Sequence, residues 1–496
     1  MVTTMQNDLM PNFLKNRSYL TPNRVAVYFN NRQLTFHELY ERSVETAGKF
    51  QSQGVRRGQY VGVLLKNHLD TIVVLFALQL LGVRAVILNN RLTSSEIIWQ
   101  LKDSQAAFLI TEKSFADKEL EIRDMIPTLP TLIKEQLDSL PMETPDIEEE
   151  INLGDVCTIM YTSGTTGKPK GVMQTYGNHW WSSVGSALNL GFTDSDCWLC
   201  SVPLFHISGY SILMRSVIYG MPIVLHESFD VEKIIEDFHS KRVTIMSVVG
   251  TMLTRIVDFI GEEQLPQSFR CMLLGGGPAP LPLLQFCVAK DIPVFQTYGM
   301  TETSSQIVTL SPEYSISKLG SAGKPLFPSQ VRIMLDDGRR AQEGETGEIF
   351  VKGPNVTPGY LNRPGAMLDR TKDGWFSTGD IGYLDDEGFL YVLDRRSDLI
   401  ISGGENVYPA EIESVLLSHP FVKDAGVTGQ EDERWGQVPI AFIVIKEGIA
   451  VSRNELELFC MERLAKYKVP KDFKFVEELP RNASNKLLRR KLKGEH

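Results

Sequence analysis

Short, almost wholly apolar runs recur along this chain, with longer helix-patterned stretches between them. Val61–Leu65, Ala85–Leu88 and Ala107–Thr111 come first, and Asp196–Pro203, Ile223–Leu225, Thr244–Val248, Cys271–Leu274 and Val294–Thr297 continue the rhythm. A strand without a polar face needs cover on both sides, so these runs predict parallel sheets flanked by helices. Helix starts are written between them. Thr35 with Glu38 is a capping-box pattern opening a helix to about Gln53, and Thr93 or Ser94 caps a later one. Thr71 to Val83 is apolar until Arg84 stops it. That stretch is too short to span a bilayer and reads as a buried helix over 71–81. Asn30-Asn31-Arg32, between two strand-like runs, signals a hairpin.

From Val331 to Asp394 the spacing changes to short runs divided by Gly, Pro and Asp, which predicts a β-rich subdomain. After Arg395 the α/β pattern returns. Pro409 suits the first position of a helix that ends before Pro420, Val438–Ile445 reads as a strand, and Ser452 with Glu455 is another capping box. A domain boundary is placed at Leu393–Asp398.

Composition narrows the function. The 61 acidic against 51 basic residues give a net charge of −10, a poor basis for binding nucleic acid through its phosphates. Cys197 and Cys200 form a lone CxxC with no second pair or nearby His pair to complete a zinc set, so they read as small apolar residues at a buried strand. The start, Met1 to Met10, lacks the basic-then-apolar pattern of a signal peptide, and a cytoplasmic location fits the cysteine usage. No stable membrane insertion is expected. A homo-oligomer is compatible with the sequence, which does not specify one.

The strongest chemical signal is Tyr161-Thr-Ser-Gly-Thr-Thr-Gly-Lys-Pro-Lys-Gly171, fed directly by the apolar run Val156–Met160. Its glycines permit unusual backbone angles, its hydroxyls and lysines supply donors, and successive N–H groups in such a loop make an anion nest. It is not a Walker A loop, because Lys168 stands at the wrong distance from Gly164 and precedes Pro169. Further on come Gly275-Gly-Gly-Pro-Ala279, Tyr298-Gly-Met-Thr-Glu302, Ser377-Thr-Gly-Asp380, Asp394-Arg-Arg-Ser-Asp398, Leu399-Ile-Ile-Ser-Gly-Gly-Glu-Asn406 and Leu479-Pro-Arg-Asn-Ala-Ser-Asn-Lys486.

In these motifs, taken in order over nearly its whole length, the chain resembles the adenylate-forming superfamily of acyl-CoA synthetases, peptide-synthetase adenylation domains and luciferases. The resemblance implies that fold: a large N-terminal domain (1–393) of two α/β sheet subdomains plus a β-rich subdomain, a hinge (394–398), and a small mobile C-terminal α+β domain (399–496). It implies ATP, Mg²⁺ and coenzyme A as cofactor and co-substrates, with a small-molecule acid as the remaining partner. Thr162, Ser163, Gly164, Thr165, Thr166, Gly167 and Lys168 would grip the phosphates. Gly275, Gly276 and Gly277 would run along the adenine and Tyr298 would stack on it. Thr301 would contact the α-phosphate and Glu302 would bind Mg²⁺, as a hard cation on phosphates wants one or two carboxylates. Asp380 and Arg395 would hold the ribose, and Lys486 would bridge carboxylate and α-phosphate. Ser397 takes the hinge position where the family commonly has Asp or Lys. Gly403 and Gly404 would line the pantetheine path, and Trp435 would meet coenzyme A or simply pack.

Gly177–Trp180, Pro203–Gly209, Arg215–Gly220 and Leu479–Arg489 resemble the branch of the superfamily whose acid carries two carboxylates. One would react, and the other must be neutralised if buried. Arg215 and His206 are the candidates, with Ser208 as a donor. Arg215 could instead cap a surface helix, and a ligase of aryl or fatty acids is the alternative.

Overall fold

The computed structural model describes residues 8–496 except 163–168, 277–278, 280, 336, 395–399, 408, 449, 481–486, 488 and 493–496. Among the described residues three large sheets organise the chain, beside a two-stranded pair of Leu9–Pro11 with Glu150–Asn152. The first has six strands in the order Lys170–Thr175, Val156–Thr162, Arg84–Ile87, Tyr60–Leu64, Phe108–Thr111 and Thr131–Ile133, parallel except for Lys170–Thr175. The second runs parallel from Val294–Met300 through Cys271–Gly275, Ile245–Val249, Trp198–Cys200 and Ile223–Leu225 to Val25–Phe29, and ends in the expected hairpin with Arg32–Thr35.

Between the two sheets lies the helix Leu69–Leu80, buried at every position but Asp70. Its apolar residues join Val61, Val63 and Ile87 of the first sheet and Trp198, Ile223 and Ile245 of the second in one core. It starts earlier than the sequence predicts, because His68 serves as N-cap, with Nδ1 accepting from the Asp70 amide. Thr35 closes the expected capping box with Glu38; of the two candidate caps Thr93 and Ser94 the structure uses Thr93, which forms a full box with Glu96.

The β-rich part is not a separate sheet. Ser321–Pro325 pairs with Ser305–Leu310 on one side and with Leu390–Asp394 on the other, which joins it to the second α/β sheet in one sheet of fourteen described strands. Gly323 makes the join possible: its φ is +100°, and a Cβ there would sit 2.0 Å from the Thr309 carbonyl oxygen. The third sheet, five strands from Ile400 to Phe475, packs the helices Pro409–Leu417 and Arg453–Met461 on its own core of Val407, Ile412, Leu416, Val427, Ile443, Leu456 and Phe473.

All six cysteines are buried and unpaired, and burial pushes the Cys197 and Cys200 thiols up to about 12, so the CxxC is structural. Among the described residues no helix is long and apolar enough to cross a membrane.

Candidate active site

Parallel strands end together, and their carboxyl ends open a crevice. Here Ile87, Tyr161, Thr162, Val249, Gly275, Gly276, Gly299 and Met300, all at or just past such ends, line one cavity of about 750 Å³. Thr301, Glu302, Asp380, His206, Ser208 and Arg215 line the same cavity, so motifs spread over more than half the chain converge on it. Of the other residues singled out in the sequence, Ser163, Gly164, Thr165, Thr166, Gly167, Lys168, Gly277, Arg395, Ser397 and Lys486 lie outside the described residues.

On the side of the Gly-rich loop, Glu302 sits in the short turn Thr301–Thr303, just past the strand Val294–Met300. It is buried, not a surface carboxylate, and accepts a hydrogen bond of 2.9 Å from the Tyr360 hydroxyl. The turn is fixed from outside: Gln174 Nε2 donates to the Thr301 carbonyl (3.0 Å) and the Thr357 amide to that of Glu302 (2.7 Å). Burial, then the charge of Glu302, raise the Tyr360 pKa, so its phenol stays a donor. Lys170 Nζ lies 5.3 Å from the Tyr360 ring centroid, and Arg370 reaches the Tyr360 hydroxyl at 3.5 Å. Both cations line the cavity and suit a polyphosphate. The sequence motif offers Lys170 only as a general donor, and no motif points to Tyr360 or Arg370.

Asp380 lies in the strand Trp375–Leu384, and its carboxylate accepts from the Tyr298 hydroxyl at 2.5 Å. The Tyr298 ring is 6% exposed and packs with Val308, Ile333 and Tyr360; unlike Asp380, it is not among the cavity-lining residues.

The opposite end is the acid side. Arg215 is 1% exposed on the helix Ile207–Tyr219, so it caps no surface helix. Its guanidinium donates to Ser211 Oγ (3.2 Å) and Ser182 Oγ (3.5 Å) and lies 5.3 Å from the Trp198 ring centroid. Among the described residues no carboxylate is within ion-pair reach of it, and its Nε has no partner. Burial lowers its pKa. A buried, uncompensated cation is costly, and an anionic ligand removes that cost.

The small domain closes the cavity. Glu405 of the strand Glu405–Val407 bonds His206 Nε2 at 3.0 Å and pairs with Arg91 of the large domain. Burial works to raise its pKa, but His206 and Arg91 outweigh it and leave the carboxylate lowered and ionised. Gly404 lines the cavity with φ +83°, and a Cβ there would lie 3.3 Å from Val249 Cγ2. At Gly403, φ +58°, a Cβ would meet Trp435 Cε3 at 2.8 Å. Trp435 is 40% exposed and, like Gly403, lies beside rather than in the cavity.

Comparison with known proteins agrees with this geometry. The family model "AMP-binding enzyme" matches residues 14–361, and "AMP-binding enzyme C-terminal domain" matches 411–486. The chain is an AMP-binding enzyme. This AMP-binding enzyme is 58% identical over 484 residues to the 2-succinylbenzoate–CoA ligase of Geobacillus kaustophilus, covering 98% of this chain and 97% of the relative. Among solved structures it resembles a double mutant of o-succinylbenzoate CoA synthetase from Bacillus subtilis bound with its product analogue OSB-NCoA: TM-score 0.94, 51% identity, 98% of this chain and 99% of that one. The same synthetase in complex with the acyl-adenylate intermediate OSB-AMP matches at TM-score 0.77, with 52% identity and the same coverage. The AMP-binding enzyme therefore has the adenylate-forming fold, with a large N-terminal and a small C-terminal domain.

Proposed function

We infer that this chain ligates 2-succinylbenzoate to coenzyme A at the expense of ATP, a step of menaquinone biosynthesis. ATP, Mg²⁺ and coenzyme A are its co-substrates and cofactor. The observation that carries the choice of acid is Arg215, a buried guanidinium on the cavity with no anion of the described residues to answer it. 2-Succinylbenzoate has two carboxylates, so one can pair with Arg215 while the other reacts. Ser208 and His206 line the same end, although His206 already bonds Glu405.

In the first half-reaction a carboxylate oxygen of the acid attacks the α-phosphorus of ATP. An O–P bond forms, the bond to the β-phosphate breaks, and pyrophosphate leaves. Negative charge gathers where two anions meet, and positioned cations are what lower such a barrier. Lys170 and Arg370 line the phosphate side, the 163–168 nest would cradle the phosphates, and Lys486 would bridge acid and α-phosphate. Among the described residues no group of three or more potential ligands could hold a metal alone. One buried carboxylate, Glu302, fits a Mg²⁺ ion held chiefly by phosphates, where it would neutralise charge. Thr301 would contact the α-phosphate, Asp380 and Arg395 the ribose, Gly275 to Gly277 the adenine.

In the second half-reaction the sulfur of coenzyme A attacks the acyl carbon, a C–S bond forms, AMP departs, and the thiol proton goes to solvent. Gly403 and Gly404, with Trp435 beside them, would flank the pantetheine. The two Bacillus subtilis comparisons differ by one point in identity and widely in TM-score, so arrangement and not sequence separates them. The small domain here stands as in the product-analogue complex, and a hinge at 394–398 around Ser397, between domains 1–393 and 399–496, would carry it between steps. A cytoplasmic site of action fits ATP and coenzyme A as substrates and six unpaired cysteines.

The test is acid-dependent pyrophosphate release with 2-succinylbenzoate, benzoate and octanoate at matched concentrations. The diacid should be used best by at least about tenfold in kcat/KM, the size of one charge-assisted bond. Equal or better use of either monoacid would reject the assignment.

A further inference from the structure

The seam between the domains contains an ion cluster that the chemistry above does not use. Lys468 belongs to the turn Lys466–Lys468 of the small domain, and its side chain is 5% exposed. Its ammonium donates to Glu411 Oε1 (2.8 Å), also on the small domain, and to Glu96 Oε1 (2.9 Å), on the large one. Glu96 is held ready. Its other oxygen accepts from the Thr93 amide (2.8 Å) and hydroxyl (2.9 Å) in the capping box that starts the helix Ser94–Asp103. Thr93 Oγ1 also reaches the Arg463 carbonyl of the small domain at 3.4 Å. Around the ions, Ala465 and Tyr467 pack into the core cluster of Leu92, Ile97 and Leu101.

We propose that Lys468 and Glu96 form a latch that positions the small domain for thioester formation and for no other step. The proposal rests on the two-step reading above. When the small domain swings away to bring Lys486 to the phosphates, Lys468 keeps Glu411, its neighbour on the same domain, and loses Glu96. The Lys468–Glu96 bond therefore weights only the arrangement seen here. Burial alone would lower the Lys468 pKa, but Glu411 and Glu96 outweigh it and keep the ammonium charged. Burial raises the pKa of the Glu411 carboxyl, and among the described residues its Oε2 has no hydrogen-bond partner, whereas both Glu96 oxygens are engaged. Lys468 and Glu96 act through the domain's position, which makes them positioning residues.

Glu96→Gln keeps a side chain that still suits a capping box, and Lys468→Met keeps most of the volume. Adenylation is read as acid-dependent pyrophosphate–ATP exchange without coenzyme A. Thioester formation is read as a single turnover of enzyme-bound acyl-adenylate mixed with coenzyme A. Each variant should slow the second step about tenfold and change the first by less than about twofold, and the double variant should be no slower than the worse single one. Amide exchange over 463–468 in the substrate-free protein should quicken about tenfold in each variant, a readout that needs no activity. Equal slowing of both steps, additive slowing in the double variant, or unchanged exchange at 463–468 would overturn the latch. Absence of pyrophosphate exchange in the wild-type protein would instead refute the functional reading, and the amide exchange would still judge the latch.

Discussion

Replacing Arg215 with Met should make this enzyme worse with its diacid and no less stable. The guanidinium is 1% exposed, and its hydrogen-bonding neighbours are the Ser211 and Ser182 hydroxyls at 3.2 and 3.5 Å. Hydroxyls leave a buried positive charge uncompensated, so the substrate-free protein carries a desolvation cost. A bound carboxylate removes it. Losing one partner of such a buried charge pair costs about 2–5 kcal/mol, or roughly 30- to 4,000-fold in kcat/KM for 2-succinylbenzoate. Benzoate lacks the second carboxylate and should lose little. In the free protein, exchanging a buried unpaired charge for an apolar side chain of similar size should be neutral or stabilising by up to about 4 kcal/mol. The assay pairs pyrophosphate release, run with both acids, with thermal melting of each protein. Equal losses with diacid and monoacid, or a clear fall in melting temperature, would refute the reasoning.

Glu302→Gln should cut adenylation by about 10²–10³-fold and raise the Mg²⁺ concentration needed for half-maximal rate, while Tyr360→Phe, which removes only the 2.9 Å bond to Glu302, should cost about 1 kcal/mol; a magnesium titration of pyrophosphate exchange reads both. Gly403→Ala puts a Cβ 2.8 Å from Trp435 Cε3 at φ +58°, so it should impair thioester formation and spare pyrophosphate exchange, seen as slower single turnover with coenzyme A. His179 is buried, and burial followed by the nearby Arg215 charge lowers its pKa from 6.5 to about 3. The unfolded chain then binds the extra proton first, so the stability contribution is full above the unfolded pKa and falls with pH towards about 3, at about 1.4 kcal/mol per pH unit. Urea midpoints at falling pH should show that slope, and His179→Gln should flatten it.

Local chemistry was legible in the sequence. The Thr35 box, the Asn30 hairpin and Pro409 at the start of its helix depend on residues a few positions apart and form as the pattern predicts, and the cap offered by Thr93 or Ser94 falls to Thr93. The strands expected ahead of Tyr161 and Gly275 also form, and the structure gathers Thr162, Gly275, Gly276, Thr301 and Glu302 on one cavity. Two local readings fell short for stated reasons. His68 is an uncommon N-cap, so the sequence pattern starts the Leu69–Leu80 helix late, and the pairing of Ser321–Pro325 with two partners depends on Gly323, whose close approach to Thr309 leaves no period in the sequence. The domain seam was the least legible part. Glu405 meets Arg91 across 314 residues and Lys468 meets Glu96 across 372, and no spacing rule links such positions. A usable hint was Lys468 within the apolar surroundings of Leu464, Ala465 and Val469, since a lysine there must find an anion.

The central claim is that one cavity first makes an acyl-adenylate and then thiolyses it. Mixing the protein with ATP, Mg²⁺ and 2-succinylbenzoate, first without and then with coenzyme A, tests it most directly by mass spectrometry of the products. A stoichiometric burst of pyrophosphate with enzyme-bound acyl-adenylate, converted to AMP and 2-succinylbenzoyl-CoA once the thiol is added, is the predicted result. ADP and inorganic phosphate as products, or a thioester formed with no adenylate intermediate, would contradict it.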